Sequence, residues 1–142
     1  MRVPQIVIDT NVLVTGLHSS QGYAFLLLQL VGTGRFEINL SVPLVLEYED
    51  VLYRRLPTLG VSLHGVDDVL DYHCQVARLH RIFFLWRPYL RDPQDDMVLE
   101  LAVRAGCDYI VTCNKRHFRG CERFGIQAAT PEEFLRSLGV VP

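Results

Sequence analysis

The chain has 142 residues, 49% of them hydrophobic, which suits one domain over residues 1–142 with a substantial core and is too short for two. Its formal charge of −2 excludes a generally basic nucleic-acid coat, so any contact with RNA or DNA must come from a local patch. No apolar run approaches a membrane span, and the opening residues lack the apolar stretch and cleavage site of a secretory leader, so no membrane partner is expected.

Residues 5–9, QIVID, form a short continuous apolar run ending in an acid, the pattern of a central parallel strand buried on both faces. A loop containing Gly16 and Gly22 is expected next, then a helix over Tyr23 to Val31 and a second strand over residues 35–40. Ser41 is placed to cap a helix through VPLVLEYEDVLYRRL, with Pro43 near its start and Pro57 beyond its end. Residues 55–65 read as a surface loop. A further helix is expected from Val66 to His80, where Val66, Val69, Leu70, His73, Val76, Ala77 and His80 keep helical spacing.

RIFFLW, residues 81–86, reads as another strand, followed by a helix that Asp92 caps and that ends near Gly106. DYIVT at 108–112 is a strand again, and IQAAT at 126–130 a last short one. Thr130 and Pro131 then start a final helix with Glu133 in the capping-box position. Alternating strands and helices predict an α/β fold with a parallel sheet.

The four cysteines, Cys74, Cys107, Cys113 and Cys121, lack CxxC spacing, which fits reduced thiols in a cytoplasmic protein. Cys113, His117 and Cys121 recur at intervals of four, but Gly120 interrupts the segment and a fourth zinc ligand is not evident. Ordinary thiols are the better reading.

In an open parallel sheet, ligands bind outside the carboxyl ends of the strands. Asp9 closes the first strand, and Thr112 and Asn114 follow the DYIV strand. The helix after RIFFLW begins at that same edge, which brings in Asp92, Asp95 and Asp96. Each acid alone has an ordinary explanation, since Asp92 is a good cap, Asp95 meets a helix dipole, and Asp9 can form a turn. Glu47 is an independent check: helical spacing sets it between Leu44 and Val51, on the edge of a buried stripe, where an acid needs a partner. Crowded carboxylates with no His or Cys among them suit Mg²⁺ or Mn²⁺, and the implied chemistry is phosphodiester or phosphoryl hydrolysis.

Four ordered stretches, VIDTNVLV, SVPLVLEYEDVL, RDPQDDMVLELAVRAGCDYIVTCNKRHF and GIQAATPEEFL, resemble a PIN domain, closest to the bacterial VapC-like proteins of toxin–antitoxin systems. The resemblance implies a three-layer α/β/α sandwich with a central parallel sheet and a Mg²⁺- or Mn²⁺-dependent ribonuclease site. Carried over by motif, Asp9, Glu47 and Asp95 are the catalytic and metal-binding residues, with Asp92 and Asp96 as further metal candidates and Asn11, Thr112 and Asn114 as supporting polar groups. Many relatives carry an acid where this chain has Asn114, which puts a second metal in doubt. Lys115, Arg116 and Arg119, with Arg123, form a basic patch that could hold RNA phosphates or simply be solvated. Arg54, Arg55, Arg87 and Arg91 are further candidates. An antitoxin partner and a homodimer are expected from the resemblance and from the prevalence of twofold assemblies.

Two rivals belong to other classes. A catalytically weak RNA-binding or protein-interaction module would keep the fold and only a residual cation site. A phosphatase using Asp9 as covalent nucleophile would want a second aspartate at position 11, which is Asn11.

Overall fold

The computed structural model describes residues 2–82 and 90–142. The sheet forms from the short apolar runs. β1 (Gln5–Ile8) is fully buried, as a strand covered on both faces must be. It pairs in parallel with β2 (Glu37–Ser41) on one side and β4 (Tyr109–Val111) on the other, with Ile6 opposite Ile38 and Tyr109. β3 (Arg78–His80) and β5 (Gln127–Ala129) extend the two flanks, also in parallel, giving the order β3-β2-β1-β4-β5. With the helices this makes the three-layer α/β/α sandwich expected for a PIN-like chain.

The chain leaves β1 toward β2 and β3, then returns to β4 on the opposite side of β1. That reversal opens a crevice at the carboxyl ends of β1 and β4. The core beneath it is continuous: Ile6, Val7, Ile110 and Val111 are wholly inaccessible, and Phe134 meets Phe36 and Tyr109 edge-on, with ring centroids 5.4 and 5.1 Å apart.

Among the described residues six helices flank the sheet: α1 (Thr10–His18), α2 (Tyr23–Leu30), α3 (Val42–Arg54), α4 (Leu63–Val76), α5 (Pro93–Arg104) and α6 (Pro131–Ser137). Their starts follow capping chemistry. Ser41 Oγ accepts from Leu44 N at 3.3 Å, and Asp92 Oδ1 accepts from Gln94 N at 2.9 Å. Thr130 and Glu133 form a complete capping box. Because Ser41 is also buried, Ser41→Ala should lower unfolding stability by about 1 kcal/mol in a urea titration. A midpoint equal to the parent's would show that the cap contributes nothing.

Two expectations need correction, and a third falls largely outside the described residues. Residues 10–18 are helix α1, not loop. Gly16 is not a breaker there but a packing point, since a Cβ on it would lie 3.2 Å from the Ala24 carbonyl oxygen and 2.5 Å from Leu28 Cδ1, so its absence lets α2 come close. The helix expected over 66–80 begins earlier, capped by Ser62, and stops at Val76, after which residues 78–80 pair with β2. The third strand therefore precedes the RIFFLW stretch: Arg81 and Ile82 are irregular, and residues 83–86, like Arg87, lie outside the described residues. Residues 55–65 contain a 3₁₀ turn at Leu56–Thr58.

All four cysteines are free. Among the described residues no helix is long and apolar enough to cross a membrane.

Candidate active site

A pocket of about 390 Å³ opens at the carboxyl end of the sheet, and Asp9, Glu47, Asp92 and Asp95 all line it. Each acid is delivered by a different constraint. Asp9 sits where β1 turns into α1: its amide extends the ladder to the Val111 carbonyl at 2.9 Å, and its carboxylate points back over the helix start. Asp9 Oδ1 accepts from Thr10 N at 2.9 Å, while Oδ2 accepts from the Thr112 hydroxyl at 2.8 Å.

Glu47 reaches the pocket from α3, which is pinned to the sheet by the neighbouring residue, because the Tyr48 hydroxyl donates to the Ile8 carbonyl. The partner that a half-buried Glu47 needs is Thr10, whose hydroxyl donates to Oε2 at 2.5 Å. Asp95 stands in the first turn of α5, 9% exposed. Asp92, the cap of that helix, completes the acid wall.

Burial is the main cause that pushes the carboxyls of Asp9, Glu47 and Asp95 above their ordinary range. At Asp9 and Glu47 the hydrogen bonds from Thr112 and Thr10 work against it. Asp95 has less help: after burial, the Asp9 charge is the next cause, and its carboxyl is pushed up to about 6. His117 pulls it down, with Nδ1 3.5 Å from Asp95 Oδ2.

The supporting polar residues form a short network. Thr112 is wholly buried; its hydroxyl accepts from Asn114 N at 3.1 Å and donates to Asp9 Oδ2. Asn11 Oδ1 accepts from Cys113 N at 3.1 Å, tying α1 to the segment after β4. Thr112 thus orients Asp9, and Asn11 lines the pocket itself.

Other expected residues fall elsewhere. Asp96 does not line the pocket; its Oδ1 accepts from Leu90 N at 2.7 Å and fixes the approach to α5. The Asn114 side chain does not line it either, and it makes no cap to the turn at Lys115–Phe118; its Nδ2 lies 3.0 Å from His117 Nε2. Lys115, expected to meet phosphate, is paired with Glu133 at 2.9 Å, and Arg116 and Arg119 are exposed outside the pocket. Arg55 does line the pocket, whereas Arg54 pairs with Asp50. The cysteine–histidine trio does not assemble: Cys121 is buried against the Ile126 carbonyl, and Cys113 Sγ faces Thr15 Oγ1 at 3.8 Å.

Sequence reasoning missed Thr10 and His117. The signal for Thr10 was its place beside Asp9 at a helix start, hidden because the helix was read as a loop. His117 was weighed only as a zinc ligand.

Fold and pocket together define an α/β domain with an acid-lined cleft at the reversal point of a parallel sheet. A family model described as PIN domain matches residues 5–116, and the chain belongs to the PIN domain family, whose members are in general nucleases. Among curated proteins none matches the chain.

Proposed function

We propose that the protein is a Mg²⁺- or Mn²⁺-dependent endoribonuclease hydrolysing RNA phosphodiester bonds. The observation that carries this reading is the arrival of Asp9, Glu47, Asp92 and Asp95 from three separate parts of the chain in one pocket, with three of the four carboxyls held above their usual range. Such a set gains from a hard divalent cation and matches its preference for oxygen donors. The fit is one of donor chemistry. Among the described residues no group of three or more His, Cys, Asp or Glu is already arranged to hold a metal ion.

Asp9, Glu47 and Asp95 would hold the cation, with Asp92 within the same wall. When bound, the cation would supply Lewis-acid polarisation of the phosphate and would lower the pKa of water toward neutrality. Thr112 and Thr10 keep the Asp9 and Glu47 carboxylates oriented through their hydroxyls. Arg55 supplies a positive charge at the pocket for a phosphate oxygen.

Cleavage of defined RNAs with Mg²⁺, Mn²⁺ or EDTA, with DNA of the same sequence alongside, tests the reading. EDTA-sensitive cleavage of RNA is expected; cleavage of DNA alone, or cleavage indifferent to EDTA, rejects it. Independently of turnover, Mn²⁺ at a hundred times its dissociation constant should stabilise the fold by about 2.7 kcal/mol. A melting curve unchanged by saturating Mn²⁺ counts against cation binding.

The finer reading, a toxin restrained by a partner antitoxin, is supported by the order and wording of the four motifs. A neighbouring small gene for a DNA-binding protein would support it further. A second reading, a catalytically weak RNA-binding or interaction module, is favoured by the acids' open arrangement and by Asn114 in place of an acid. Wild-type protein that binds RNA without cleaving it under any divalent cation would select that reading.

A further inference from the structure

His117 lines the acid pocket, with half of its side chain exposed, and both of its ring nitrogens have defined neighbours. Nε2 lies 3.0 Å from Asn114 Nδ2, and an amide nitrogen can only donate. With the amide in this orientation Nε2 accepts, and the proton of the neutral ring lies on Nδ1. That N–H faces Asp95 Oδ2 at 3.5 Å, longer than a good N–H···O hydrogen bond. The ring thus aims a donor into the pocket and spends it only loosely there.

A phosphate entering this pocket meets four acids and needs donors. Two of the other donors at the pocket are already engaged, since Thr10 donates to Glu47 and Asn11 Nδ2 lies toward Thr112. We infer that His117 is a phosphate-binding residue, its Nδ1–H donating to a non-bridging oxygen of the substrate, and that Asn114 is the positioning residue that selects this tautomer.

The assignment rests on the nucleic-acid hydrolase reading above and gives the amide at position 114 a reason. An aspartate there would accept from Nε2–H and draw the proton to the wrong side of the ring, turning a lone pair toward Asp95. The amide serves the imidazole rather than a cation.

Two measurements test this. In metal-free wild-type protein in mildly alkaline buffer, long-range nitrogen–proton NMR of the imidazole should show the Nδ1–H tautomer, and Asn114→Leu or Asn114→Asp should shift it toward Nε2–H. In steady-state RNA cleavage with Mn²⁺, His117→Ala should raise KM roughly tenfold to a hundredfold, the effect of losing one charge-assisted hydrogen bond. His117→Asn, whose amide nitrogen superposes on Nδ1, should recover part of that loss, with rates compared at saturating Mn²⁺. An Nε2–H tautomer in the wild type, or a His117→Ala protein with the parent's KM, overturns the inference while leaving the nuclease reading standing. A wild type that neither binds nor cleaves RNA removes the reading of the site and this assignment with it.

Discussion

Asp95→Asn should lower metal-dependent RNA cleavage by roughly a hundredfold or more, because a ligand change costs at least as much as the loss of an outer hydrogen bond to a ligand. The same substitution should make the metal-free protein more stable. The Asp95 carboxyl is pushed up to about 6, first by burial and then by the Asp9 charge, so its ionised form is disfavoured in the folded state at neutral pH. The sign follows from linkage: an acid whose folded value lies above its unfolded one weakens the fold when ionised, and that weakness is relieved as pH falls below about 6. Asparagine carries no charge to relieve. Its metal-free form should gain about 1 kcal/mol near neutral pH, discounted for solvent at the pocket mouth, and should lose the wild type's gain on acidification. Initial rates together with thermal melts in EDTA test both halves. Asp9→Asn is expected to be as inactive but less stable than Asp95→Asn, since both Asp9 oxygens accept hydrogen bonds and an amide can accept with only one. Parental activity in both purified variants would remove these acids from the chemistry.

The second large effect lies away from the pocket, at His73. It is 3% exposed on α4, beside an apolar cavity of about 310 Å³ whose walls include Leu17, Phe25, Leu28 and Tyr72. Burial lowers its pKa to about 4, against an ordinary value of 6.5. Above 6.5 the ring is neutral in both folded and unfolded chains and contributes nothing to pH dependence. As pH falls from 6.5 toward 4 the unfolded chain takes up a proton that the folded one refuses, so stability is lost across that window and the loss then levels off. The full loss is about 3 kcal/mol. The site acids pull the other way, because Asp9, Glu47 and Asp95 gain protons more readily when folded. The informative quantity is therefore the difference between wild type and His73→Leu in urea titrations at neutral pH and near pH 4. If wild type does not lose stability relative to His73→Leu on acidification, the buried ring is not the source.

The strands were legible where the chain is apolar on every residue, as at Ile6 to Ile8, because a strand covered on both faces leaves no room for alternation. Caps were equally legible, since Ser41, Asp92 and Thr130 act within three residues of themselves. What escaped was decided by distant partners. Nothing local says that Gly16 sits beneath Leu28, so its helix read as a loop. Arg78 to His80 continue the apolar spacing of α4, and only the edge of β2 turns them into a strand. The gathering of Asp9, Glu47, Asp92 and Asp95 could be argued from strand ends and helix starts, because parallel topology sends both to one side. The side-chain partnerships could not. Asp96 faces the backbone at Leu90, and Asn114 faces His117, and neither direction is written in spacing.

The hydrogen bond from Thr112 to Asp9 spans 103 positions of sequence, and the strand pairing beside it is of the same range. Contacts of that separation are costly to close and form slowly, so the pocket is a late product of folding. A partly synthesised chain that has emerged only as far as α4 holds Asp9 and Glu47 but neither Asp95 nor the hydroxyl that aims Asp9. Until β4 docks against β1 the pocket is incomplete, because Asp95 and the Thr112 hydroxyl have yet to join Asp9 and Glu47. The wiring of the sheet thus makes the acid wall a property of the finished chain, with no shorter N-terminal piece carrying all of it.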